Sequence, residues 1–359
     1  MQLNFPVVPV TDLVIKDNDL VAATAGRAFW ILDDLGALQQ FAGVMAAAKV
    51  KLFTPKTTYR YSGAANIPGL DPGNSNGANP VEGVMLDYYF PDNADTNVVK
   101  LEIMDANNKV VRTYTNKKDS LFKPYPGGPP AAQVVPAMKG INRFAWNFKG
   151  ENISPDIQGA YVYGDYTGYR LPPGKYKAKI TYKETSSETE MNVIQDPALK
   201  VTAADWNEQQ KFLNNISNEV SEIHKSIIAM RKVKKQVETY NELLKDVKDS
   251  KELVEKGKEL IKKSDEWEAT LIETRQKNFQ DVINFSSKLN VEFLYLKNLA
   301  DAHDPRVTEG LKNRNADLDK EWVKYKNVYD KDLRKSIDNY NALFKNKNLP
   351  AIIWELGVQ

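Results

Sequence analysis

Reactive side chains are sparse in this chain of 359 residues, which has no cysteine and only two histidines. Without cysteine there is no disulfide, no thiolate nucleophile and no cysteine-ligated metal. His224 follows Ile223 on a helical apolar stripe and reads as a partly exposed structural histidine. His303 precedes Asp304-Pro305 and reads as a capping or turn residue. A serine nucleophile would need one of these imidazoles in a cleft beside it, and no G-x-S-x-G elbow occurs. Asp33-Asp34 is the one adjacent carboxylate pair that suggests glycoside hydrolysis, but neighbouring strand residues point to opposite faces and cannot flank one sugar. These two read as strand-end carboxylates that accept turn amides. With Asp17 and Asp19 they form an acidic group, yet no D-x-D-x-D-G calcium loop is present. On these grounds no catalytic, cofactor-binding or metal-ligating residue is assigned.

Aromatic residues offer the stronger binding motif. Tyr161, Tyr163, Tyr166, Tyr169 and Arg170 fall within ten residues, a composition suited to stacking on sugars or peptides through amphipathic rings. The same composition suits a loop folded over a β-core, and both readings stay open. Lysine runs such as Arg231-Lys232-Val233-Lys234-Lys235 and Lys262-Lys263 lie among matching acids without interleaved aromatics, so they read as solvated helix faces, with no nucleic-acid partner.

The elements that must position these residues follow from charge and periodicity. Net charge is +2, too small for a global field toward nucleic acid or anionic membrane. About a fifth of residues 1–199 are charged against about a third of residues 200–359, which divides a β part from a helical part. No run approaches the roughly 18 apolar residues of a membrane span, and the first residues lack the basic and apolar regions of a signal peptide. Val10 to Lys16, Leu20 to Thr24 and Ala28 to Leu32 form three strands joined by Asp17-Asn18 and Gly26 turns. Phe29-Trp30-Ile31-Leu32 is apolar without alternation, which implies burial on both faces. Leu35 to Ala48 is weakly helical, Lys51 to Pro55 is a strand, and the Gly/Pro/Asn-rich residues 56–82 read as a linker.

From Val84 to Ile194, six short strands with alternating apolar residues fit an immunoglobulin- or fibronectin-like sandwich over residues 83–198. Thr202-Ala203-Ala204-Asp205 then opens a helical domain, residues 200–347, as a capping box. Four helices are expected: one with the stripe Leu213 to Leu244, one over Lys251 to Lys277, one over Asp281 to Ala302, and one starting at Asp304-Pro305. Their short connections predict an up-and-down antiparallel bundle. Residues 348–359 form an apolar tail.

The opening stretch PVVPVTDLVIKDNDLVAATAGRAFWILDD resembles the final blade of secreted β-propeller proteins of the sortilin-like and bacterial-neuraminidase-repeat (BNR), glycosyl-hydrolase-like type found in Bacteroidota. KLFTPKTTYR, KLEIMDANNKVVRTY, GINRFAWNF and LPPGKYKAKITY are similar to the segments that follow the propeller there. Two departures stand out: Ala25 replaces a frequent histidine, and the S-x-D-x-G-x-x-W repeats of the other blades are absent. The resemblance implies a multidomain α+β chain with a propeller-blade remnant in residues 1–55, a sandwich and a helical bundle. It implies a periplasmic or extracellular C-terminal region that binds or assembles without catalysis. Its partners would be further propeller blades or a partner chain covering Phe29 to Leu32, and a protein or glycan ligand. The alternative it implies is the accessory end of a glycoside hydrolase whose active site lies in the propeller.

Overall fold

The computed structural model describes residues 5–44, 49–61, 81–94, 97–125, 127–159, 165–245 and 250–346. Among the described residues the fold is mixed α+β, with three sheets and a C-terminal helical region. It divides into two compact units: Met1–Leu121, Ala132–Glu151 and Arg170–Lys200 form the first, and Phe122–Ala131, Asn152–Tyr169 and Val201–Gln359 the second.

The first unit opens with an antiparallel meander of β1 (Val10–Lys16), β2 (Asp19–Thr24) and β3 (Phe29–Leu32). Asp17 and Asn18 both take positive φ, 50° and 71°, the geometry a two-residue hairpin needs to match strand twist. A single helical turn, α1 (Gly36–Gln39), follows. Gln40 to Gly43 leave the helix, Val44 is helical again, and 45–48, part of the expected helix, lie outside the described residues. Ala37, Phe41 and Val44 pack on Phe53 and Tyr89.

Two sheets enclose the main core of this unit. The smaller has the order β4 (Lys51–Leu52), β6 (Val84–Phe90), β9 (Gly140–Trp146). The larger has the order β5 (Thr58–Arg60), β11 (Thr185–Gln195), β10 (Gly174–Tyr182), β7 (Val99–Met104), β8 (Val110–Thr115). Strand β5 lies within the segment expected to be a linker. It pairs in parallel with the end of β11, Thr58 opposite Val193, and its Arg60 is buried, with Nε donating to the Leu171 carbonyl at 2.7 Å. Alternation sets the inward faces: Leu86, Tyr88 and Phe90 from one sheet meet Val99, Leu101, Ile103 and Ile180 from the other. Gly83 has φ +125°, and a Cβ there would lie 2.2 Å from the Trp146 carbonyl oxygen, so only glycine lets β6 begin so close to β9.

The second unit is built on α2 (Ala203–Leu243), which starts at the expected capping box: the Thr202 hydroxyl accepts from Asp205 N–H, and the Asp205 carboxylate accepts from Thr202 N–H at 2.7 Å. Next come α3 (Lys251–Leu271), a 3₁₀ turn (Phe279–Ile283), α4 (Leu289–Ala300), α5 (Glu309–Asn327), a π-helical segment (Val328–Leu333) and α6 (Arg334–Asn346). The bundle has three rods rather than four alternating helices. Arg231–Glu268 and Lys234–Asp265 contacts set α3 antiparallel to α2. Gln209 Nε2 donates to the Ala300 carbonyl, so α4 runs on in the direction of α3. Glu208–Lys312 and Glu222–Lys326 pairs make α5 parallel to α2. Ile272 ends α3 in extended backbone, and residues 272–288, which include the 3₁₀ turn, lead on to α4. Helix α5 is capped by Thr308 rather than Asp304; the Asp304 carboxylate instead takes the Arg306 guanidinium.

Candidate functional site

The tyrosine loop is split by the structure. Tyr161 and Tyr163 lie outside the described residues. Tyr166 is 1% exposed and joins the helical core with Ile153 and Ile157, its ring 5.6 Å from that of His224. Tyr169 belongs to the same unit and is half-buried, its hydroxyl pKa raised by burial and by Asp301. Arg170 falls in the first unit, where it bridges Lys149 and lies 3.4 Å from the Glu82 carboxylate. Segment 152–169 is thus part of the helical unit although it interrupts the β sequence. Lys297, 1% exposed, holds it there by donating to the carbonyls of Asp165 and Thr167, each at 2.6 Å.

The same segment buries His224 completely, correcting the expectation of a partly exposed ring. Nδ1 sits 2.8 Å from the Pro155 carbonyl, which can only accept, so Nδ1 carries the proton. Nε2 is buried without a partner among the described residues, and burial lowers the pKa to about 4, so the ring is neutral at pH 7. Beside it, the Tyr125 hydroxyl donates to Asp156 at 2.6 Å, and Arg231 donates to the Gln158 carbonyl at 2.6 Å. The polar groups of this region tie the segment to the helices. The Asp34 carboxylate accepts from Asn18 Nδ2 and Gly36 N–H at 3.1 and 3.0 Å, and Asp33 is exposed. Among the described residues no group of three or more His, Asp or Glu side chains is placed to hold a metal ion, and no helix is long and apolar enough to cross a membrane.

Two features of the helical unit had no sequence warning. Glu219 on α2 and Asp319 on α5 are a hundred residues apart in sequence but share a hydrogen bond, and Glu219 Oε2 and Asp319 Oδ1 are buried without any other donor. Burial and the adjacent carboxylate raise the Glu219 pKa to about 8. The second is a groove of about 620 Å³ between α3 and the π-helical segment. Trp267 forms its floor, stacked on Tyr329 at 5.1 Å and donating Nε1–H to the Tyr325 carbonyl at 2.9 Å. Lys263, Lys324 and Lys335 alternate with Glu266 and Asp332 around it, so it has no single charge preference.

Among the described residues, the meander carries a group of exposed large apolar side chains. Phe29 is 73% exposed and Ile31 61%, while Trp30 and Leu32 are half-buried, so the run expected to be buried on both faces is open on one. Every residue of β1 is exposed, Leu13, Val14 and Ile15 among them, so both faces of that strand meet solvent. Cross-strand register places Val14, Val21 and Ile31 in one row, with Phe29 on the same face. Compared with known proteins, the chain matches no family model, no curated protein and no solved structure.

Proposed function

We propose that the chain is a non-catalytic binding or assembly module that works through the β1–β3 sheet. The observation that carries this reading is the row of exposed Val14, half-buried Val21 and exposed Ile31 with exposed Phe29 on the same face, on a three-stranded sheet too small to bury a face by itself. The resemblance to sortilin-like and BNR propeller proteins supplies the context. In it β1–β3 belongs to a propeller blade whose faces stack on neighbouring blades, and the two-sheet core is an immunoglobulin-like sandwich. The setting is periplasmic or extracellular, and a protein or glycan binds to the completed propeller. The short hairpins and the two aromatic-rich sheets that enclose one core support that assignment.

The test measures whether the sheet is uncovered. The purified chain should bind an environment-sensitive apolar dye, and amides of β1–β3 should exchange within the fastest class. Phe29→Ser with Ile31→Thr should remove most of the dye signal while the main thermal transition stays in place. Absent dye binding together with slow exchange in β1 would mean the sheet is already covered, and would overturn the reading.

A further inference from the structure

Strand β1 is an edge strand, and its sequence matches itself. The two-residue turn makes Lys16 and Asp19 a hydrogen-bonded pair, so Lys16, Val14 and Asp12 direct their N–H and C=O groups to β2. Leu13 and Ile15 therefore direct theirs away from the sheet. The Leu13 N–H shows this: it donates to the adjacent Asp12 carboxylate, at 2.8 Å, instead of to a strand. The side chains of Asp12, Val14 and Lys16 share the face that carries Val21, Ile31 and Phe29, and those of Leu13 and Ile15 share the other.

We infer that β1 pairs antiparallel with β1 of a second copy of this chain, about a two-fold axis at Val14, to give a continuous six-stranded sheet. In this register Leu13 faces Ile15 of the other copy, and the outward N–H and C=O groups of both meet in a hydrogen-bonded pair. Asp12 faces Lys16, twice, at the close non-hydrogen-bonded positions where cross-strand ion pairs form best. Val14 meets Val14, which joins the two apolar rows end to end through their exposed Val14 ends. Shifting the partner by two residues in either direction keeps the hydrogen-bond parity but sets Asp12 or Lys16 opposite Val14, so charge selects the Val14-centred register. Lys16 lies 3.5 Å from Asp17, both highly exposed, a pair that costs little to exchange for Asp12 of the partner. An edge of this kind, with no proline and no covering element among the described residues, is a template for strand addition.

The inference rests on β1–β3 being an assembly surface and adds what meets its edge. Sedimentation equilibrium of the full chain should give a concentration-dependent mass rising to twice that of the monomer. Lys16→Asp alone or Asp12→Lys alone sets like charges opposite each other twice per dimer and should weaken association about tenfold or more. The double exchange Asp12→Lys with Lys16→Asp should restore it. A chain that stays monomeric up to its solubility limit, or a dimer indifferent to the single reversals, or one not restored by the exchange, overturns the inference. Dye binding and amide exchange report the faces of the sheet, so the failure of the edge pairing is distinguishable from failure of the functional reading.

Discussion

The β1–β3 sheet leaves Phe29, Ile31, Leu13, Val14 and Ile15 largely in solvent, whereas the helical unit buries Phe293, Leu294, Ile223 and Val220 completely. The contrast extends to polar groups. The helical unit takes in His224, Lys297 and Gln209 and gives each a backbone carbonyl, while the meander keeps Asp12, Lys16 and Asp17 outside. Composition does not explain the difference, because both regions are rich in large apolar side chains. What differs is partners. The helices close around one another and around Ile153, Ile157 and Tyr166, and three short strands cannot do so. Apolar side chains that the fold does not use are available for association.

The sharpest way to break this comparison is a matched pair of truncations. Phe293→Ala removes a fully buried ring and should cost about 3–5 kcal/mol in denaturant unfolding. Phe29→Ala should change stability by less than about 0.5 kcal/mol, since its ring is already hydrated. Similar losses at both positions would mean that Phe29 is buried in solution and that the contrast is false.

A smaller effect tests how the helical unit holds its inserted segment. Lys297→Met keeps the packed stem but withdraws the ammonium from the Asp165 and Thr167 carbonyls, which should cost about 1–3 kcal/mol. The cost should be local. Limited proteolysis should find new cleavage within 152–169 before the helices are cut. Uniform loss of stability without that cleavage would show that Lys297 supports the bundle rather than the segment.

Strands and helices were legible where periodicity was. Val99, Leu101 and Ile103 alternate and are all buried, and the stripe from Leu213 to Val237 lies along the buried face of α2. Thr202 and Asp205 are three residues apart, so their capping box could be read locally. Several departures come from pairing between distant residues without a period. Ile153, Ile157 and Tyr166 carry no helical or strand spacing, so nothing in the sequence directs them to a core made by residues 216–344. Strand β5 is a short Thr-Tyr-Arg stretch recruited by the end of β11. The π-helical segment hides inside a pattern that still reads as 3.6-periodic, with Leu333 and Ile337 both inward. At the tyrosine loop, composition was readable but destination was not: Tyr166 went to a core and Arg170 to the other unit. Exposure of Phe29 is set by tertiary packing around β3, which no local pattern reports.

The smallest effect separates the two regions by pH. Asp12 and Asp17 of the meander lie in solvent, but burial moves the pKa values of Glu219 and His224 in the helical unit, in opposite directions. Glu219 rises from 4.5 to about 8, so the folded chain holds a proton that the unfolded chain releases above 4.5. Stability from this group is therefore lost as pH rises through that window, until Glu219 is charged. His224 falls from 6.5 to about 4, so the unfolded chain takes up a proton first, and stability is lost as pH drops from 6.5 through about 4. Glu219→Gln supplies a permanent donor to Asp319 and removes only the upper limb. It should raise the melting temperature by about 2–4 °C at pH 9 and leave it nearly unchanged at pH 5. Asn315 Nδ2 already donates to Asp319 at 2.8 Å, and Lys326 pairs with Glu222 nearby, so neither supplies the missing proton between Glu219 and Asp319. A variant that gains equally at both pH values would locate the benefit in packing. A variant that gains nothing at pH 9 would mean that α2 and α5 part enough there for both carboxylates to be hydrated.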